Sequence, residues 1–200
     1  MVDKNEPQES VYNTPKNVCT ALTGFIIEIR EQSAALRAYD NVFQNSHCDN
    51  SFMKRASKSI WRELLSEIAR IFDNEKTGSY ENCTLSRLKS LCCKEAYASL
   101  FTTDEQNDLL QSLEAVFEYY NQLPIAYSRR KQLAHHDLTQ VVAGECVGIS
   151  FEQVEKLVED VTNVFAKICT QFSGGLFITT FPNYDLLVEQ YEKEIRKLIE

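Results

Sequence analysis

The chain has 200 residues with a net charge of −8, of which 44% are hydrophobic and 25% are charged. This size and composition suit one globular domain with a buried core, and the low counts of glycine (6) and proline (4) argue against an all-β fold built on tight turns. Proteins that bind long nucleic acid by counterion release are usually basic, so any contact with nucleic acid must rely on a local patch.

The N-terminal part of the sequence predicts a short arm followed by a long helix. Residues 1–13 are polar and are predicted to be a flexible arm, and residues 14–200 are predicted to form one helical domain. Thr14 followed by Pro15 is typical of a helix start. Apolar residues then continue at helical spacing, and these are Val18, Leu22, Phe25, Ile26, Ile29, Leu36 and Phe43.

The middle of the chain predicts three more helices. One is expected from about residue 50 to residue 72, and the polar stretch 73–82 is expected to be a loop. Thr84 is predicted to cap a shorter helix. The sequence "TTDE" at 102–105 predicts a strong helix start, because hydroxyl caps are followed by acids that suit a helix N-terminus. Pro124 is predicted to end or kink that helix.

The last third of the chain predicts further helices. A helical stretch is expected to begin at about residue 125, and 142–149 is expected to be a loop or a short extended piece. "SFEQ" at 150–153 is typical of a capping box and predicts a helix to about residue 172. Asn183 is predicted to cap a final amphipathic helix. The predicted fold is therefore all-α, a helical bundle of about six helices with little or no sheet.

Cysteine usage and hydropathy bear on compartment and cofactors. The seven cysteines are odd in number and show no CxxC pair, which predicts reduced thiols and neither a metal site nor another cofactor. The polar N-terminus predicts no signal peptide, and no apolar run approaches the ~20 residues of a membrane span. A cytoplasmic protein without a membrane contact is expected.

One short stretch, "YSRRKQLAHHDL" at 127–138, concentrates cations and histidines in this acidic chain. Arginine binds phosphate through two parallel hydrogen bonds, and histidine exchanges protons near neutral pH. A histidine that takes the proton of a ribose 2′-hydroxyl, beside an arginine that stabilises the phosphoryl oxygens, would cleave a phosphodiester without metal. Such chemistry acts on RNA and not on DNA, which lacks the 2′-hydroxyl.

The stretch "RRKQLAHHD", which begins at Arg129, resembles the Arg-(four to six residues)-His signature of the HEPN superfamily. It is most similar to the abortive-infection AbiU-like branch, whose pattern is roughly Arg-Asn-Lys-x-x-Ala-His-x-Asp. Arg129 matches the first arginine, Lys131 the lysine, His135 the histidine and Asp137 the closing acid. Arg130 departs from the pattern, since the family commonly has asparagine or another small polar residue there.

The resemblance implies a helical fold and a function. Many HEPN proteins are metal-independent endoribonucleases that act as toxins or antiphage effectors, while others bind nucleotides or RNA or are inactive scaffolds. Their sites typically form where two protomers meet, so the resemblance implies a homodimer, with RNA or a nucleotide and an antitoxin protein as partners. It also implies that Arg129 stabilises the phosphate and His135 transfers protons, while Arg130 and Lys131 hold the RNA.

Two questions stay open at this level. On a straight helix Arg129 lies about 120° from His135 and only about 20° from His136, so Arg129 lies in the turn after Pro124, or the pairing crosses the dimer, or His136 takes part. Asp137 orients a histidine or pairs with an arginine one turn earlier. The alternative to a ribonuclease is a non-catalytic module that binds nucleotide or protein, and the plainest alternative is that the cations are only a solvated helix surface.

Overall fold

The computed structural model describes residues 14–44, 51–128, 148–172 and 181–199, and these residues form an all-α bundle, as predicted. The predicted arm at 1–13 lies outside the described residues. The helices are α1 (Pro15–Gln44), α2 (Ser51–Ile71), α3 (Leu85–Cys92), α4 (Thr103–Gln122), α5 (Ile125–Ser128), α6 (Phe151–Phe172) and α7 (Tyr184–Ile199), with a 3-10 helix at Glu95–Leu100.

The helix starts that the sequence predicts are confirmed by hydrogen bonds. At the start of α4, the Thr102 hydroxyl accepts from the Glu105 backbone N–H at 3.3 Å, and the Glu105 carboxylate accepts from the Thr102 N–H at 2.8 Å. These two bonds are a capping box, which satisfies two donors that the helix leaves free. The other side chains that accept a backbone N–H at predicted starts are Thr14, Thr84, Ser150 and Asn183.

The polar stretch 73–82 differs from the prediction because it holds a small hairpin instead of a plain loop. Strands β1 (Lys76–Thr77) and β2 (Tyr80–Glu81) pair antiparallel, with Lys76 opposite Glu81. Gly78 occupies the turn with φ of 62°, a left-handed conformation that glycine adopts without steric cost. The strands have two residues each, too few to show the alternating pattern by which strands are predicted.

The side chain of Arg87 on α3 binds the backbone of this hairpin through hydrogen bonds. Its side chain is only 6% exposed, Nε donates to the carbonyl of Asn82 at 2.9 Å, and Nη2 donates to the carbonyl of Glu75 at 3.2 Å. The guanidinium also lies 3.5 Å from the carboxylate of Glu81. One buried cation therefore satisfies backbone carbonyls on both sides of the hairpin.

Replacing Arg87 by methionine is expected to lower the free energy of unfolding by about 3 kcal/mol, because carbonyls that the guanidinium satisfies lose their charged donor. The matched control is Lys76→Met in the same hairpin, whose side chain is exposed and whose loss should cost less than about 0.5 kcal/mol. Urea unfolding of both variants measures the difference. Equal midpoints would show that Arg87 does not anchor the hairpin.

The core consists of two hydrophobic clusters. The larger lies among α1, α2, α3, α4 and α6, and its fully buried members include Leu22, Ile26, Leu64, Leu88, Leu113 and Phe165. The smaller joins α1 and α7 to the first turn of α2, through residues such as Ala38, Met53 and Val188. The final helix therefore packs along α1.

Phe25 is predicted on the core stripe of α1, but its side chain is 40% exposed. The reason is that Phe25 lies at the edge of the arc that the buried residues Leu22 and Ile26 occupy on the helix.

Candidate functional site

The residues of the predicted motif lie outside the described residues. They are Arg129, Arg130, Lys131, His135, His136 and Asp137. Their mutual geometry therefore stays a prediction. The structure does describe the residues that precede and follow them, and these define the surface to which the motif is attached.

The described residues on both sides of the motif contact α2. Before it, α5 packs against α2, Ile125 is fully buried, and Ser128 is the last residue of α5 and the residue directly before Arg129. After it, Ile149 and Phe151 lie together with Trp61 of α2 at one cleft. The flank before the motif therefore packs on α2, whereas the flank after it reaches α2 only at Trp61, and α6 itself packs against α1 and α4.

The cleft beside Trp61 has a volume of about 470 Å³. Its aromatic walls are Tyr39, Trp61 and Phe151, and the rings of Trp61 and Phe151 have centroids 6.2 Å apart at an angle of 52°. The guanidinium of Arg37 lies 4.7 Å from the centroid of the Phe151 ring. Charges of both signs line the remainder of this cleft, namely Asp40, Lys58 and Glu152. Flat rings beside a lysine are the side chains that a nucleobase and its phosphate contact.

A hydrogen-bonded cluster fixes the first turns of α6 against α1 and α7. Arg37 forms a two-pronged ion pair with Glu155, and Nε lies 2.9 Å from Oε1. The Tyr184 hydroxyl donates to Glu155 at 2.9 Å and lies 3.1 Å from the hydroxyl of Ser33. Burial raises the pKa of Tyr184, so its hydroxyl keeps its proton and remains a donor. The helix that follows the motif therefore begins at a fixed position.

A second cleft, of about 630 Å³, lies between α6 and the start of α7. Arg30 donates to the carbonyl of Pro182 at 2.9 Å and lies 5.7 Å from the ring centroids of both Phe181 and Tyr184. Burial lowers the pKa of Arg30. Carboxylates surround it, and those that line the cleft are Glu152, Glu155, Glu159 and Asp185. With four carboxylates against Arg30 and Lys156, this cleft suits a phosphate less well than the cleft beside Trp61, which has two carboxylates against Lys58.

A group of cations on α2 was missed by the sequence analysis. Between residues 51 and 62 the chain has four basic residues and no acid, and these are Lys54, Arg55, Lys58 and Arg62. All four side chains are exposed. The sequence does show this group, as a run of basic residues within an acidic chain. The sequence analysis used only the hydrophobic stripe of the same helix, which predicts the helix but not its surface charge.

The described residues contain no group of three or more histidine, cysteine, aspartate or glutamate side chains positioned to hold a metal ion. Burial raises the pKa of Cys92 to about 12, so this thiol stays protonated and unreactive. Within the described ranges, no helix has both the length and the apolar character to cross a membrane.

A family model matches most of the chain. The family model HEPN_AbiU2, described as AbiU2, matches residues 20–198, a span that runs from α1 to α7 and includes every residue of the predicted motif. No curated protein and no solved structure matches the chain.

Proposed function

The chain belongs to the HEPN_AbiU2 family, and from this membership we propose that it is a metal-independent endoribonuclease that cleaves single-stranded RNA, acting as a toxin or antiphage effector. The observation that carries the proposal is the Arg-x5-His stretch, with a lysine inside it and an aspartate two residues after it, within the matched residues. Arginine and histidine at this spacing supply a phosphate ligand and a proton carrier.

The proposed reaction is an in-line displacement at phosphorus. The ribose 2′-oxygen forms a bond to phosphorus while the bond from phosphorus to the 5′-oxygen breaks. His135 accepts the 2′-hydroxyl proton, and a second protonated group donates a proton to the departing 5′-oxygen. Arg129 stabilises the charge on the phosphoryl oxygens, and Arg130 and Lys131 hold neighbouring phosphates. The products are a 2′,3′-cyclic phosphate and a 5′-hydroxyl.

A homodimer would supply the second proton carrier. One motif holds one histidine at the family position, whereas the reaction needs a base and an acid. A two-fold axis brings the same residue from both protomers into one cleft, so each His135 would serve in one of the two roles. His136 is the alternative second histidine, and Asp137 would orient the histidine that works.

The proposed activity is tested with a labelled single-stranded RNA pool in EDTA, beside an Arg129→Gln variant. The wild type is expected to cut RNA to fragments with cyclic-phosphate ends, and the variant is expected to lose about 10²–10³-fold in rate, the usual cost of removing a group that stabilises developing charge. Cleavage that requires added Mg²⁺, or that survives in the variant, would contradict the proposed chemistry.

The second candidate function is a HEPN module that binds a nucleotide or a protein without cleaving RNA. Arg130, in the position where the family commonly has a small polar residue, favours this alternative, because the family's orientation of the first arginine does not carry over to a chain with that departure. This alternative predicts a stable complex with a nucleotide or an antitoxin protein, and no RNA fragments in the same assay.

A further inference from the structure

We infer that the exposed basic face of α2 binds the single-stranded RNA that the proposed ribonuclease cleaves. The surface, called here the α2 basic face, consists of Lys54, Arg55, Lys58 and Arg62 with Trp61 at its edge. The choice of RNA as the occupant rests on the proposed ribonuclease function. The surface itself rests on charge, exposure and position in the fold, all from described residues.

The positions of the four cations on the helix place them on one side. At about 100° per residue, Lys54, Lys58, Arg62 and Arg55 lie within an arc of roughly 100°, and they extend over about 12 Å of the helix axis. The side of α2 that carries Met53 and Leu64 faces the core, and beyond the cations Leu65 and Ala69 are buried on the cation side as well. The cations therefore form an exposed strip that is confined to residues 54–62, and not a scatter around the helix.

Three of the four cations of this strip form no ion pair with a described residue, although Asp40 and Glu152 line the cleft beside Lys58. Within the described part of the chain, Arg55, Lys58 and Arg62 have no carboxylate within 4.0 Å. Other cations are compensated, since Lys89 pairs with Glu114 and Lys156 pairs with Asp160. A local excess of positive charge in a chain of net charge −8 is what a phosphate backbone requires of an acidic protein.

Trp61 adds a stacking surface at the edge of the strip. It lies about 20° from Lys54 around the helix, and its ring lines the 470 Å³ cleft together with Tyr39, Lys58 and Phe151. Aromatic rings stack on bases of any sequence, while neighbouring cations contact the phosphates. Cations beside an open aromatic cleft favour the binding of single-stranded over double-stranded RNA, because the bases of a single strand are free to enter the cleft.

The location of the strip connects it to the motif. Its helix packs against α5, which ends one residue before Arg129, and its cleft includes Ile149 from the other side of the motif. A strand bound along α2 therefore lies on the helix that packs against the flank before the motif, beside a cleft that Ile149 from the flank after it also lines. An anionic membrane would also match the charge, but not the aromatic cleft beside a predicted ribonuclease motif.

The test uses a fluorescent single-stranded oligoribonucleotide with methylated 2′-hydroxyls, which the protein can bind but cannot cleave. The triple variant Arg55→Gln, Lys58→Gln, Arg62→Gln keeps good helix formers and is expected to bind about tenfold or more weakly than the wild type. Because each phosphate contact contributes about 0.7 to the slope of log K against log salt for single strands, the slope should fall by about 2.

The matched control is the triple variant Lys16→Gln, Lys193→Gln, Lys197→Gln, in exposed positions of α1 and α7. Both triple variants change the net charge from −8 to −11. The control should bind within about twofold of the wild type and keep its salt slope, because non-specific long-range effects are screened beyond a Debye length of about 8 Å. Equal losses in the two variants would overturn the inference.

The fluorescence of Trp61 provides an independent measurement of binding, because Trp61 is the only tryptophan in the chain. Its emission should be quenched as the oligoribonucleotide saturates the wild type, and unchanged emission at saturation would overturn the stacking role. Failure of the wild type to bind the oligoribonucleotide, or binding only to vesicles of phosphatidylcholine and phosphatidylserine, would overturn the inference as a whole. Binding by the α2 basic face without any cleavage of ordinary RNA would support it while contradicting the proposed ribonuclease function.

Discussion

Replacing His135 by alanine is expected to lower the rate of RNA cleavage in EDTA by about 10²–10⁴-fold, the usual contribution of a positioned proton carrier. The loss should appear in kcat, because the imidazole transfers protons in the transition state and does not contribute to substrate binding. In the proposed dimer the substitution removes both copies of the residue, so neither the base nor the acid remains. Single-turnover cleavage of a labelled RNA, with circular dichroism to verify the fold, measures the effect.

Of the two other histidines of the chain, His47 is the control for this prediction and His136 is the alternative proton carrier. His47→Ala, far from the motif in sequence, should leave the rate unchanged. His136→Ala should have a smaller effect than His135→Ala if the family position holds the proton carrier. A wild-type rate in His135→Ala together with a large loss in His136→Ala would instead assign the role to His136, the residue that a straight helix places nearer to Arg129.

Replacing Phe165 by alanine is expected to lower the free energy of unfolding by about 3–5 kcal/mol, because the ring is fully buried and its removal leaves a cavity. Phe165 lies on the inner face of α6, with its ring centroid 6.1 Å from that of Phe181. In a protein of this size each kcal/mol shifts the melting temperature by about 2–4 °C, so Tm should fall by roughly 6–20 °C.

The control for the core is the same substitution at an exposed phenylalanine. Phe52, in the first turn of α2, is 72% exposed, and Phe52→Ala should change the free energy of unfolding by no more than about 0.5 kcal/mol. Differential scanning calorimetry of both variants compares the two sites with identical chemistry. Similar values of Tm for the two variants would show that Phe165 of α6 is not buried in the core as the structure describes it.

The helices on both sides of the motif are held in place by contacts with the rest of the fold. The motif is flanked by α5, whose Ile125 is fully buried, and by α6, whose start is fixed by Arg37 and Glu155. Catalytic groups need to be held to within a fraction of an ångström, and rigid flanks of this kind serve that need. The proposed chemistry therefore depends on contacts that are remote from the motif in sequence.

The predictions that the structure confirmed concern local interactions. Thr102 and Glu105, or Ser150 and Gln153, are three residues apart, and their capping bonds form whenever the chain turns into a helix. The same holds for the end of α4, which stops before Pro124 because proline cannot donate a backbone hydrogen bond. Such signals depend on nearest neighbours, which a sequence displays directly.

The interactions that the sequence did not reveal join distant residues. The hairpin at 73–82 depends on Arg87 of the next helix, and the 3-10 helix at Glu95–Leu100 has no cap pattern of its own. Arg37 meets Glu155 across 118 residues, and Ser33 meets Tyr184 across 151. No periodicity encodes such a pair, because it forms only after the helices that carry the two residues have packed.

The sequence by itself determined the all-α class and most helix boundaries, and it supplied the candidate motif. Only the tertiary structure decided that Phe25 is exposed, that α7 packs along α1, and that α2, which packs against α5, presents four exposed cations. The physical reason is that capping and amphipathic patterns are fixed by residues within one or two turns. Burial and surface charge are fixed by which helix faces meet, and that depends on the whole chain at once.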